Sequence, residues 1–310
     1  MVAKRAVALR RWGVILVLGA KCGAARAGTL TVTVTNGGAP VNGAVVRVEV
    51  DGPNGTTNAD GKWSATVAAG SYRVMAWKTI AGALRGAIAD LTMPAGNATV
   101  SLRLTDAVWT YNLFPYAVGN AWQYKHLHVG PDGRETSTWR ERVDRTEVVN
   151  GEPAVVLVAT KDMVPEWEEI RASTRNGFVV FTQQHGADTI KFDPPMRLGA
   201  LLPLSYEWAA TTTAHHSDGS RDTHLEIVCE LVGFDNVVVP AGPLRGCAHF
   251  EIGMSLGAEN SELDVWTARN VGIVRQIKRT PGCMETKMLE AYSLRPPLLP
   301  REVGPIIRRP

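Results

Sequence analysis

Apolar and polar residues alternate along most of the chain. Leu30, Val32 and Val34 alternate with Thr29, Thr31, Thr33 and Thr35, and Val46, Val48 and Val50 repeat the pattern. That is the two-residue period of a strand burying one face. Asn36-Gly37-Gly38, Asp51-Gly52-Pro53-Asn54-Gly55, Asp60-Gly61, Ala69-Gly70 and Pro94-Ala95-Gly96 interrupt it. Glycine supplies the positive φ that turns need, and proline blocks continued pairing. No helical period of useful length intervenes, so the region to about Thr105 is expected to be a small Greek-key β-sandwich. From Asp106 onward, tryptophan, histidine and charged residues become common. Trp122 to His128 alternates, Pro131-Asp132-Gly133-Arg134 reverses the chain, and a long strand-like run reaches Val149. Asn150-Gly151, Asn176-Gly177 and Ser217-Asp218-Gly219-Ser220 are further hairpin signals, giving about ten strands in a larger antiparallel meander. The expected fold class is all-β.

The first 27 residues read differently. Lys4, Arg5, Arg10 and Arg11 precede an apolar run from Trp12 to Ala20, and Ala25-Arg26-Ala27 has small residues where a signal peptidase reads. A signal peptide over residues 1–27 with cleavage before Gly28 is predicted, and the chain is expected to be secreted or periplasmic. The run is shorter than the roughly 20 residues that span a bilayer, and no later segment is a candidate. A lipidated form would use Cys22, but Lys21 occupies the position before it, where a small residue is required. The whole chain has 33 basic and 30 acidic residues and a net charge of +3. Six basic residues lie in the leader, leaving 27 against the same 30 acidic ones, a net charge of −3. The mature chain has no dense Lys/Arg stripe of the kind that phosphate backbones require, so nucleic acid is not an expected partner. Residues 28–105 and 106–294 are read as two domains, and the proline- and arginine-rich stretch 295–310 as an extended tail.

Two stretches resemble known families. Gly38-Ala39-Pro40-Val41-Asn42-Gly43-Ala44-Val45-Val46, Thr57-Asn58-Ala59-Asp60-Gly61 and Ala69-Gly70-Ser71-Tyr72-Arg73-Val74 resemble the carboxypeptidase regulatory-like domain. The resemblance implies a prealbumin-like or Ig-like sandwich among the carbohydrate-binding-like folds, with Tyr72 structural and no catalytic residue. In the second domain, Phe114 to Tyr124, Val237-Val238-Val239-Pro240-Ala241-Gly242-Pro243-Leu244, Cys247 and Trp266 to Val274 resemble bacterial exported β-rich proteins of unknown function called TapB-like. Thr267 stands where that family usually has tyrosine, and the resemblance carries over no site residue.

Candidate chemistry is sparse. Trp63 and Trp77 are candidates for stacking on sugar, against the ordinary role of tryptophan in a core. Strands present alternate residues on one face, so His126 and His128 share a side. If Ser217 to Ser220 form a turn, His215, Asp222 and His224 are placed to form a three-ligand metal site, the alternative being solvated hairpin side chains. Cys229 and Cys247 lie in strand-like runs joined by one return and are the preferred disulfide pair, with buried free thiols the competing reading. Gly253-Met254-Ser255-Leu256-Gly257 has nucleophile-elbow spacing without the helix that motif needs. Glu166, Glu168 and Glu169 around Trp167 read as a solvated strand edge rather than a glycosidase pair. Phe192-Asp193-Pro194-Pro195 with Leu198, Leu201, Leu202 and Leu204 is expected to be an apolar loop covering one end of the second core. No cofactor motif is present. The expectation is a non-catalytic extracytoplasmic binding or cell-envelope protein, with a glycan or another envelope component as partner. The alternative is a metal-dependent hydrolase using His215, Asp222 and His224.

Overall fold

The computed structural model describes residues 27–49, 52–110, 113–174, 177–256 and 259–295, so the leader and the tail lie outside the described residues. The threonine–valine alternation makes β1 (Ala27–Asn36) the centre of a first sheet. It pairs antiparallel with β2 (Ala39–Pro40) and β5 (Lys62–Ala68), and parallel with β8 (Ala98–Arg103). That parallel pair departs from a wholly antiparallel arrangement. A second sheet contains β3 (Val45–Val48), β4 (Asn54–Thr56), β6 (Gly70–Ile80), β7 (Ala83–Met93) and β9 (Thr105–Trp109). The chain crosses from this sheet to the first between Met93 and Ala98. It arrives running in the direction of β1 and pairs with backbone groups that would otherwise form an open edge. Leu30, Val32 and Val34 meet Val46, Val48, Val74 and Ala76 in one buried aliphatic core. The turn before β5 needs glycine. Gly61 has φ 69°, and a Cβ there would lie 2.5 Å from the Val34 carbonyl oxygen.

The second part is a closed barrel. Its strands are β10 (Ala121–Gly130), β11 (Gly133–Val149), β12 (Glu152–Lys161), β13 (Val164–Thr174), β14 (Gly177–His185) and β15 (Asp188–Leu198). The circuit continues through β17 (Glu207–His216), β18 (Thr223–Val239), β19 (Gly242–Leu256), β20 (Glu259–Ala268), β21 (Gly272–Thr280) and β22 (Cys283–Ser293). Each pairs antiparallel with the next, and β22 returns to β10 from Ala121↔Ser293 to Val129↔Met284. The meander is therefore twelve strands without a free edge, more than the turn signals alone predicted, and closure is how it satisfies both terminal strands. Asn150 and Gly151, at φ 53° and 80°, make the left-handed two-residue hairpin their sequence announces.

The apolar loop is not a lid. Pro194 to Leu198 remain in β15, and Leu201–Pro203 form β16, which adds to β9 at the edge of the sandwich's second sheet. Alternation then sends neighbouring leucines to opposite partners. Leu201 packs with Met75 and Ala107 of the sandwich, and Leu202 with Trp208, Cys229 and Leu231 of the barrel. The Arg73 guanidinium, 4.0 Å from the Trp208 ring, adds a cation–π contact between the two parts. The segment before β10 closes one end of the barrel: Phe114 stacks on Tyr116 at 5.8 Å and lies 4.7 Å from Phe178.

A charged barrel interior and an outer groove

Strand register decides which side chains enter the barrel. Tyr124 faces Trp139, Trp122 faces Glu141, Leu157 faces Glu169 and His126 faces Lys287. Trp122, Tyr124 and Leu157 are core residues, so their partners point inward as well. The interior consequently holds two cations and two carboxylates. Lys287 Nζ lies 3.5 Å from Glu141 Oε1 and 3.7 Å from the Trp139 ring centre, and Trp139 Nε1 donates to the same carboxylate oxygen at 3.1 Å. Arg171 pairs with Glu169, whose other oxygen accepts from Gln183 Nε2 at 2.7 Å. Arg171 Nη1 donates to the Tyr116 hydroxyl at 3.1 Å.

Four charges largely, though not wholly, removed from water are tolerable because they balance and are hydrogen-bonded to one another. Burial pushes the Tyr116 phenol up to about 12 and raises Tyr124 as well. Burial pulls the Lys287 ammonium below its usual value, against the attraction of Glu141. Burial also opposes the charge on Arg171, but Glu169 prevails and holds the guanidinium above its ordinary range. These groups are committed to each other.

Two concavities border this interior. On the outer face of β22, β10, β11 and β12 the registered positions Ala121, Val158, Thr160, Ala291 and Ser293 are small, and they floor a groove of about 420 Å³. Polar side chains frame it. Arg140 Nε donates to Gln123 Oε1 at 2.9 Å, and Gln123 Nε2 donates to Glu290 Oε2 at 2.8 Å. A second cleft of about 590 Å³ lies where Arg171 and Tyr116 approach the barrel end, and the Ser173 hydroxyl there is buried without a hydrogen-bond partner. The donors of Arg171 nearest this cleft already serve Glu169 and Tyr116. The outer groove instead offers groups facing solvent.

The residues singled out from sequence fall mostly elsewhere. Trp63 lies on the first sheet against the sandwich core, close beside Gly55, whereas Trp77 lies on the second sheet and meets Trp109 edge-on at 5.1 Å. They form no shared platform. His215 Nδ1 and Asp222 Oδ2 are 2.8 Å apart, as the assumed hairpin required, but His224 sits opposite Thr213 and turns to Glu226 at 3.8 Å. The three do not converge. Asp188, His216 and Asp218 do, but Asp188 Oδ1 already accepts from the Ser217 and Asp218 backbone N–H groups and the Ser217 hydroxyl, and Oδ2 faces His216 Nδ1, a self-contained turn brace.

Cys229 and Cys247 are both buried free thiols. Cys229 pairs in register with Ile252 and Cys247 with Asp235, so the two lie roughly 15 Å apart along the ladder, beyond disulfide reach. Burial pushes the Cys229 thiol up to about 12. Ser255 lies within β19 opposite Asn260, with no elbow. The carboxylates around Trp167 separate: Glu168 meets Arg145 at 2.7 Å on the outside, while Glu169 is buried inside, because β13 is paired on both sides rather than an edge. His126 is buried with Nδ1 3.0 Å from the Ser137 hydroxyl, and burial lowers its pKa. Sequence reasoning missed Glu141, Arg171 and Lys287; a charged residue on the apolar side of an alternating run was the available signal.

These features define an all-β chain of a small two-sheet module and a closed twelve-stranded antiparallel barrel. It is similar to the solved structure of a candidate lipoprotein from Parabacteroides distasonis, with TM-score 0.37 and 14% identity over 60% of this chain and 99% of that one. It is also similar to a candidate exported protein with a YmcC-like fold from Bacteroides fragilis, with TM-score 0.31 and 16% identity over 58% and 98% of the two chains. A DUF3823 family protein from Parabacteroides merdae gives TM-score 0.23 and 14% identity over 50% and 91%. No family model and none of the curated proteins matches the sequence.

Proposed function

We propose that the chain is a non-catalytic binding protein of the bacterial cell envelope that holds a glycan or similar polyhydroxylated envelope component in the outer groove of the barrel. The leader-like segment at residues 1–27 supports export. The resemblances to the carboxypeptidase regulatory-like and TapB-like families agree with a non-catalytic role. The observation that carries the binding site is the groove itself. A floor of small side chains lets a ligand approach the sheet, Ala121, Val158 and Ala291 supply an apolar face, and Gln123 and Arg140 supply fixed hydrogen-bond donors and acceptors. A flat apolar face beside oriented polar groups suits a sugar ring, which has both. The sandwich then serves as a spacer. The test is a glycan array probed with the mature protein, followed by titration calorimetry on the best ligand. Gln123→Ala and Arg140→Ala should each weaken binding about tenfold or more while leaving the melting temperature unchanged. Binding that survives both substitutions, or that is lost on Trp63→Ala instead, contradicts this assignment.

A further inference from the structure

We propose that His128, Cys283 and Glu285 form a binding site for Zn²⁺ or a similar borderline-soft divalent cation at the end of the barrel where β21 turns into β22. The site follows from topology. Val129↔Met284 and His128↔Glu285 pair across the β10–β22 seam that closes the barrel, and Cys283 is two residues from Glu285 on the same face of β22, just after the Pro281-Gly282 turn. A nitrogen, a sulfur and an oxygen donor from two strands are thereby brought to one point. Cys283 Sγ is 3.6 Å from His128 Nδ1 and 3.9 Å from Nε2, and Nδ1 is 3.7 Å from Glu285 Oε1.

These separations match the edges of a coordination tetrahedron. Zinc bonds of about 2.0–2.1 Å to nitrogen and about 2.3 Å to sulfur place the two donors about 3.5 Å apart, and nitrogen and oxygen ligands about 3.4 Å apart. The side chains need only small rotations to admit an ion. His128 and Glu285 are each more than one-third exposed, so solvent reaches the group and can fill a fourth position. Thiolate, imidazole and carboxylate together select zinc-like ions over magnesium or calcium, which prefer oxygen alone. On binding, the Cys283 thiol loses its proton to solvent and the sulfur donates an electron pair to the ion; nothing is oxidised or reduced. Among the described cysteines, Cys229 and Cys247 are buried and Cys283 is the one partly open to solvent. This site is independent of the proposed outer groove.

The experiment titrates the mature protein, freed of metal by a chelator, with Zn²⁺ and with Co²⁺. One equivalent of either ion should bind, and the cobalt form should show the near-ultraviolet charge-transfer band of a cobalt–thiolate bond. Zn²⁺ should also protect Cys283 from alkylation. Cys283→Ser should abolish the band, and His128→Ala and Glu285→Gln should each weaken Zn²⁺ more than about tenfold. The wild-type spectrum and the alkylation assay decide the matter even if a variant folds poorly. No stoichiometric binding, a cobalt spectrum without the thiolate band, or Zn²⁺ affinity unchanged in folded Cys283→Ser overturns the proposal.

Discussion

The sandwich and the barrel are built from the same two-residue alternation, yet they fill their interiors in opposite ways. Between the two sheets, Leu30, Val32 and Val34 interlock with other small aliphatic side chains, a layer that sheets about 10 Å apart can close with branched residues alone. Twelve strands bent into a barrel enclose a wider space, and longer side chains span it: tryptophans, tyrosines, Lys287, Arg171 and the two glutamates they meet. Packing holds one interior. Mutual neutralisation is required in the other.

That contrast can be broken by substitution. Arg171→Ala leaves Glu169 buried without its cation, and should cost about 3–5 kcal/mol in urea unfolding. Leu30→Ala removes three carbons' worth of packing from a site with no access to water, and should cost about 3 kcal/mol, the cavity rather than a charge setting the size. The two losses should differ in kind: added salt should change neither much, since both sites are shut off from bulk water, but adding Glu169→Gln should offset part of the first and none of the second.

A smaller effect should appear in alkali. The Tyr116 phenol is held near 12, above its value of 10 in the unfolded chain, so the folded state keeps a proton that the unfolded state releases. Its contribution is complete below pH 10 and is lost as pH rises through 12, an amount of up to about 2–3 kcal/mol. Denaturation midpoints followed from pH 9 to 12 should fall, and in Tyr116→Phe they should fall less steeply from a lower starting point. Equal slopes in the two proteins would show that Tyr116 is not shielded.

The comparison also marks where sequence was informative. The sandwich was legible because most of its turns carry a local signature, the Ala81-Gly82 hairpin between β6 and β7 being the one not read, and because its core residues sit at every second position of β1 and β3. The barrel's strands were legible for the same reason, but its closure was not. Pairing Ala121 with Ser293 is a contact between the two ends of the circuit, and no periodicity within a strand encodes it. The same distance hid the groove, whose floor comes from four strands spread between Ala121 and Ser293. Glu169 was misread as solvated because a charged residue in an alternating run looks external until Arg171, two positions further on the same face, is seen to neutralise it. β16 was misread as a loop because its partner β9 belongs to the other part of the chain. His215, Asp222 and His224 were grouped from one assumed hairpin and do not converge, whereas His128, Cys283 and Glu285 come together across the closing seam, which no local pattern announces.

The claim on which the rest depends is that the buried charges of the barrel serve one another. A double-mutant cycle with Arg171→Met and Glu169→Gln, measured by urea unfolding, tests it directly. The account predicts that the paired substitution costs less than the sum of the single ones by at least about 2 kcal/mol. Single costs that add to within about 0.5 kcal/mol would contradict it.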